Sequence, residues 1–173
     1  MTEKCARTLI AFCAIFSPVI LSAQSLSPEC AAVFTASQKM FTTPNHQYLT
    51  RTSAGKTQKT ENLETITVID AMYIKMNGRW IKSPVAPSAR LKDRATTTLK
   101  DATCRRLRDE SVSGVAATVY RVHSKTADDT SAGQYWVARS TGLLLRSEVD
   151  LAVDGEKSHS AMRAEFVGVT APR

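Results

Sequence analysis

Residues 133–167 carry the sequence GQYWVARSTGLLLRSEVDLAVDGEKSHSAMRAEFV, in which three β-prone segments are separated by turn-forming residues. The middle segment has apolar or small residues at every second position: Leu143, Leu145, Ser147, Val149 and Leu151. Arg146, Glu148 and Asp150 stand between them. Because side chains of a strand alternate between two faces, this pattern predicts a sheet with one apolar face and one face in water.

β-prone segments separated by turn-forming residues continue over most of the chain beyond residue 45. Asn77-Gly78 lies between two apolar-bearing segments, and this dipeptide is a strong hairpin signal because both turn positions need positive φ. Ser113-Gly114 and Asp154-Gly155 are further turn signals. The predicted strands are 46–51, 64–69, 72–76, 79–82, 102–111, 115–125, 133–139, 143–151 and 158–167.

One long helix is predicted ahead of the strands. Ser27-Pro28-Glu29 supplies a capping hydroxyl, a proline for the first turn and an acid at the positive end of the helix dipole. The helix should run to about Phe41 and stop before Pro44. The segment 88–99 lacks strand alternation and is predicted as a short helix on a long loop. The fold class is therefore α+β, with these two segments covering the apolar face of an antiparallel sheet.

The first 23 residues have the pattern of a secretory signal peptide. Lys4 and Arg7 precede an uncharged run over 9–22, and small residues follow around Ala23. The run is short for a transmembrane helix, which leaves a single N-terminal membrane anchor as the alternative. We expect residues 1–23 to be removed and residues 24–173 to form one exported domain.

The cysteine count predicts one disulfide. Cys5 and Cys13 leave with the signal peptide, and Cys30 and Cys104 remain as an even pair in an oxidising compartment. The pair is too far apart in sequence for a redox-active Cys-x-x-Cys motif. We expect a Cys30–Cys104 disulfide that pins the N-terminal helix to the sheet.

The chain is basic, with 23 Lys and Arg against 16 Asp and Glu. Without Lys4, Arg7 and Glu3 the counts become 21 and 15, a net charge of +6. The basic residues are scattered and are not interleaved with aromatic residues, so no nucleic acid is expected. An acidic envelope protein is a possible partner for such a surface.

Motifs that carry covalent chemistry are missing from the sequence. It contains no Gly-x-Ser-x-Gly, no Walker loop and no His-Glu-x-x-His. His46, His123 and His159 are far apart and have no metal-ligand spacing. We expect neither a metal nor a cofactor, and a protein that is not an enzyme. A hydrolase with an unrecognised site is the least favoured hypothesis.

Aromatic residues and adaptable aliphatic residues fall on the predicted strands. They favour a cavity for an apolar ligand, although the same residues can form an ordinary core. The predicted cavity-lining residues are Phe34, Tyr73, Trp80, Tyr120, Trp136, Leu143, Leu145, Met162 and Phe166.

Three short motifs resemble the periplasmic lipoprotein-carrier superfamily of LolA-, LolB- and LppX-like proteins. They are Tyr135-Trp136-Val137, Ser140-Thr141-Gly142-Leu143-x-Leu145-Arg146 and Phe166-x-x-Val169-x-Ala171-Pro172. The resemblance implies a strongly curved antiparallel half-barrel with helices on its concave side, which holds acyl chains or another amphiphile. It also implies a periplasmic location. Leu144 departs from the pattern, since many relatives carry proline there.

Two further departures bear on function. The carriers use an inward arginine to latch a lid, and no arginine of this chain can be assigned to that role. The expected disulfide would also restrain the first helix. The sequence therefore favours a non-enzymatic periplasmic protein that binds a lipid or another hydrophobic ligand. The alternative is a protein-interaction module on the same scaffold, such as an inhibitor, an immunity factor or an envelope sensor.

Overall fold

The computed structural model describes residues 27–54, 58–96, 102–125 and 129–173, with the backbone alone for 92–96. The expected signal peptide lies outside these ranges. The helices and strands are α1 (Pro28–Thr42), β1 (Asn45–Ala54), β2 (Lys59–Thr67), β3 (Met72–Met76), β4 (Arg79–Lys82), α2 (Pro87–Thr96), β5 (Ala102–Val112), β6 (Val115–Lys125), β7 (Asp129–Ala138), β8 (Leu144–Val153) and β9 (Glu156–Glu165).

The strands described form one curved, open sheet in the order β4-β3-β2-β1-β9-β8-β7-β6-β5. Every neighbouring pair is antiparallel. Two meanders, β1–β4 and β5–β9, therefore meet where the first strand pairs with the last. α2 lies in the connection between the two edge strands, β4 and β5, and contacts α1. The predicted fold class, an α+β half-barrel with helices on its concave face, is confirmed.

Local sequence explains the limits of α1. The Ser27 hydroxyl accepts a hydrogen bond from the Cys30 amide at 3.2 Å, which caps the first turn. After Thr42 the chain becomes extended and leads into Asn45, whose side chain is fully buried. The Asn45 amide donates to the carbonyl oxygens of Met40 and Thr43, both at 2.7 Å. These two bonds fix the helix end against the start of β1.

Three hairpins have the turn that their sequence predicts. The first turn residues, Asn77, Ser113 and Asp154, have φ of 51, 49 and 50°. The glycines that follow them have φ of 77, 83 and 82°. Positive φ at both positions matches the right-handed twist of the flanking strands.

The predicted limits of β1 and β2 are too short. The two strands pair continuously from Asn45↔Thr67 to Ser53↔Lys59, whereas the prediction began β2 at Glu64. Apart from Leu63, the residues missed in β2 are polar, and all of them are exposed. One apolar residue makes no alternation, and the strand rests on backbone hydrogen bonds. β2 also ends at Thr67, because the Val68 amide donates to the Ala71 carbonyl in a turn that leaves Ile69 83% exposed.

Hydrophobic packing occurs on both faces of the sheet. We call the concave face that contacts α1 the inner face and the opposite face the outer face. The inner core contains Ala36, Met40, Val137, Leu144 and Ala164. The outer core contains Ala117, Val119, Trp136, Ala138 and Leu145. The prediction of one wholly wet face is therefore wrong over β6–β8.

In β8, a β-bulge causes part of this difference. Val137 pairs with Leu144 but Trp136 pairs with Arg146, so one extra residue stands in β8. Leu144 thus packs in the inner core, whereas Leu145 packs in the outer core. The predicted common face of Leu143 and Leu145 with Val149 is wrong, because the bulge inverts the alternation between them.

The predicted disulfide is confirmed. Cys30 in the first turn of α1 is joined to Cys104 in β5, with the two Cα atoms 5.1 Å apart and 74 residues apart in sequence. It attaches the start of the helix to the edge strand of the second meander.

Candidate functional site

α1 covers only part of the inner face. It packs on β5, β6, β7 and β8, and the first meander extends beyond it. Apolar residues on the inner face of that meander remain accessible: Leu63 is 37% exposed, Met76 54% and Ile81 51%. Leu63 lies on this face because its partner on β1 pairs in turn with Met162, which packs against the inner core. Strand alternation and register place Met76 and Ile81 on the same face.

A hollow of about 270 Å³ lies where the last turn of α1 meets the sheet. We call it the inner hollow. Among the described residues that line it, none is charged. They are Ser37, Met40, Phe41, Gln47, Leu49, Leu63, Thr65, Tyr135, Leu144, Ser147, Val149 and Met162. Leu63 places the hollow in continuity with the uncovered apolar surface of β2–β4.

α1 forms a fixed wall of this hollow. The disulfide holds its first turn, and Asn45 holds its last turn. Between them, the Lys39 ammonium donates to the carbonyl oxygen of Thr141 in the β7–β8 turn at 2.6 Å. On the side of the first meander, the lining residue Leu63 is partly exposed, so the hollow is open there.

The residues predicted to line one cavity are divided between the two faces. Met162 lines the inner hollow, and Tyr120 packs against the inner core. Phe166 contacts both cores, and Phe34 is half-buried on α1.

The other predicted cavity residues lie elsewhere. Trp136 and Leu145 are buried in the outer core, and Leu143 packs beside them. Tyr73 and Trp80 lie on the outer face of the edge meander, since Trp80 pairs with Lys75 and Tyr73 with Ile66. The bulge and the strand alternation separate these residues from the inner hollow.

Several residues of the hollow were not predicted. Leu49 and Leu63 pair with each other across β1 and β2, and each is an isolated apolar residue in a polar strand. Tyr135 is adjacent in sequence to Trp136 but faces inward. Met40 and Phe41 lie in the last turn of α1, and the packing that brings them to Leu49 is not visible in the sequence.

The outer face carries a row of aromatic and charged residues across the sheet, which we call the outer ladder. Strand register aligns Trp136, Arg146, Arg163, Tyr48, Glu64, Lys75 and Trp80. The guanidinium of Arg146 lies 4.6 Å from the Trp136 ring centre, and that of Arg163 lies 4.5 Å from the Tyr48 ring. Such cation–π contacts stabilise an exposed sheet face by about 0.5–1 kcal/mol each.

Each cation of the outer ladder also has a carboxylate partner. Arg146 pairs with Glu148, Arg163 with Glu165, and Lys75 with Glu64 at 2.8 Å. At the end of the ladder, the Trp136 indole N–H donates to Glu110 at 2.5 Å. This bond, followed by the Arg108 guanidinium, holds the pKa of Glu110 below its ordinary value. The ladder is thus self-neutralised.

The histidines do not assemble a reactive centre. His46 contacts Glu64 at 2.8 Å and stacks on Tyr48, whereas His159 contacts Asp150 at 2.8 Å. Within the described ranges, no three His, Cys, Asp or Glu side chains are grouped as metal ligands. None of the described helices is long and apolar enough to cross a membrane.

Comparison with known proteins gives likenesses of fold. No family model and no curated protein sequence matches the chain. Among solved structures, the chain is similar to the lipoprotein LppX of Mycobacterium tuberculosis, with 13% identity, a TM-score of 0.48 and coverage of 83% of this chain and 96% of LppX.

Two further structures are similar at lower scores. LprF of Mycobacterium bovis has 14% identity and a TM-score of 0.46, with 86% of this chain and 98% of LprF covered. A LolA superfamily protein of Nitrosomonas europaea has 9% identity and a TM-score of 0.32, with coverage of 84% and 96%. Each of these likenesses is one of overall fold.

Proposed function

We propose that this protein binds a lipid or another hydrophobic ligand in the inner hollow and over the uncovered inner face of β2–β4, without covalent chemistry. The observation that carries the proposal is the continuity of the uncharged hollow with the accessible side chains of Leu63, Met76 and Ile81. Contiguous apolar surface of this kind marks binding sites in water-soluble proteins. Export to the periplasm is part of the proposal, and the disulfide supports it.

The geometry also supports a manner of binding. Because α1 is held at both ends, the ligand enters from the side of the first meander rather than by displacement of the helix. The hollow is smaller than the 300–1,000 Å³ of most small-molecule sites. An apolar tail therefore lies partly in the hollow and partly along β2–β4.

The first test is native mass spectrometry of the mature protein, exported to a bacterial periplasm and purified without detergent. We expect a lipid-sized increment above the mass of the disulfide-bonded chain. Binding of the neutral fluorophore N-phenyl-1-naphthylamine, and its displacement by fatty acids, then measures the affinity. A protein that carries no amphiphile and does not enhance the fluorescence contradicts the proposal.

A matched pair of variants locates the site. Leu63→Glu places a charge at the mouth of the hollow and is expected to weaken fluorophore binding at least tenfold. Ile69→Glu makes the same change at a residue that is 83% exposed and outside the hollow, so binding should stay within twofold. Equal effects of the two variants would mean that the fluorophore binds elsewhere.

The second candidate function is a protein-interaction module on the same scaffold, which the small volume of the hollow favours. In that case the core is effectively filled and the accessible apolar residues of β2–β4 contact a protein. A mass spectrum without any bound amphiphile, together with recovery of one envelope protein that Leu63→Glu abolishes, would establish this function in place of the first.

A further inference from the structure

A cleft of about 770 Å³ lies at the end of the sheet away from the outer ladder, and by strand register most of its lining side chains are on the outer face. We call it the outer trough. Its lining residues come from β1, β9, β8, β7, β6 and β5. The cleft lies within the volume range of small-molecule sites and is larger than the inner hollow.

Strand register shows how the trough is built. One row across the sheet runs His159, Asp150, Ala132, His123, and the next runs Lys157, Ala152, Thr130, Lys125. The central strands β8 and β7 thus contribute small floor residues, Ala152, Thr130 and Ala132. Longer side chains stand on either side of them. Lys157 and Lys125 are three strand spacings apart, about 14 Å.

The charges of the trough differ from those of the outer ladder. In the ladder, Arg146, Arg163 and Lys75 each have a carboxylate partner. In the trough, neither Lys125 nor Lys157 forms an ion pair with any residue that the structure describes. The one carboxylate of the lining, Asp150, is engaged by His159 at 2.8 Å.

We propose that the outer trough is a second binding site, for a small organic anion whose phosphate or carboxylate group lies between Lys125 and Lys157. Its apolar body rests on the floor formed by Ala132, Ala152 and Thr130. Lysine ammonium groups are point-charge partners for phosphate and carboxylate. His123 and His159 add ring N–H donors at the same rim. The uncharged inner hollow, on the opposite face, offers none of these groups.

The test uses phenyl phosphate as the probe, titrated into the isotopically labelled mature protein while backbone amide resonances are followed by NMR. We expect saturable shifts at residues 130–132 and 150–152, and none at Leu49 or Leu63 of the inner hollow. Shifts that do not saturate, or that are spread over the whole basic surface, would overturn the proposal.

Two kinds of variant separate a specific site from general attraction to a basic protein. Lys125→Ala combined with Lys157→Ala is expected to weaken binding at least tenfold. Arg79→Ala combined with Lys82→Ala removes the same charge from β4 and should change binding less than twofold. Ala152→Phe keeps both lysines but fills the floor, and it should also weaken binding tenfold. Equal losses in the two double variants would overturn the site.

A vesicle experiment identifies the source of the anion. If the anion is a lipid headgroup, phosphatidylglycerol vesicles should sediment the protein, and the trough double variant should remain in solution. If it is a soluble molecule, the trough binds phenyl phosphate while the vesicles do not retain the protein. Absence of binding to both probes would overturn the proposal, with fluorophore binding in the inner hollow unaffected.

Discussion

The sequence predicts Trp136 as a cavity-lining residue, whereas the structure packs its indole in the outer core. Its neighbours in sequence, Tyr135 and Val137, point to the inner core, so strand alternation sends the indole outward. There it is 3% exposed between the outer core and the Arg146 guanidinium. The aromatic residues on strands were predictable, but the face depended on a register and a bulge that no residue pattern specifies.

Glu110 gives the outer face a pH dependence. Its pKa is lowered in the folded protein, first by the Trp136 indole N–H and then by Arg108. A carboxyl group whose pKa is lowered by folding contributes to the free energy of unfolding. This contribution is fully present above the pKa of the unfolded state and is lost as pH falls through the pKa of the folded state. We therefore expect the free energy of unfolding to decrease below about pH 5, and to decrease less in Glu110→Gln.

Urea unfolding at a series of pH values measures this effect, and the indole N–H resonance of Trp136 should shift over the same acidic range. The matched control is Glu156→Gln, an exposed glutamate at the start of β9 that has no ion pair among the described residues. If the free energy of unfolding depends on pH in the same way in the wild type and in Glu110→Gln, the hydrogen bond from the Trp136 indole to Glu110 is not coupled to folding.

At the scale of the element, α1 is held more firmly than its sequence suggests. Asn45 is fully buried and bonds two carbonyl oxygens at the end of the helix. Asn45→Ala is expected to cost about 1–3 kcal/mol, since it removes the donors and leaves the buried carbonyls unpaired. Asn62→Ala, at an exposed position that accepts from Thr50, should cost much less. Denaturant midpoints compare the two, and equal losses would refute the capping role.

The disulfide is the other attachment of α1. Cys30→Ser combined with Cys104→Ser is expected to lower the free energy of unfolding by about 4 kcal/mol, because the bridge closes a long loop of the unfolded chain. Reduced wild-type protein should show the same loss in urea unfolding. A loss below about 1 kcal/mol would mean that native packing alone fixes the helix on β5.

Element limits were predictable where local chemistry dictates them. Ser27-Pro28 starts a helix and Asn77-Gly78 makes a hairpin, because capping and positive φ are properties of a few adjacent residues. The polar half of β2 was not predictable, since its pairing with β1 depends on backbone hydrogen bonds. The inner hollow was only partly predictable, because it joins α1, β1, β2, β7, β8 and β9 across long sequence separations.

For the molecule as a whole, the two meanders should differ in local stability. The second meander is covered by α1 on its inner face and has a core on its outer face. β3 and β4 are short, lie at the sheet edge and expose Met76 and Ile81. We expect amide hydrogen exchange to be much faster in β3 and β4 than in β6–β8. Equal protection factors would show that the first meander is covered as well as the second.

The pairing of β1 with β9 has a consequence for the order of assembly. Hairpins such as β1–β2 and β5–β6 close over short stretches of chain, but β1 meets its second partner only when residues 156–165 are present. Contacts of such long range form late and slowly. A chain that is synthesised or translocated from its N-terminus therefore cannot complete its sheet until that process is almost finished. Until then the chain stays incompletely folded and can still be threaded through a channel.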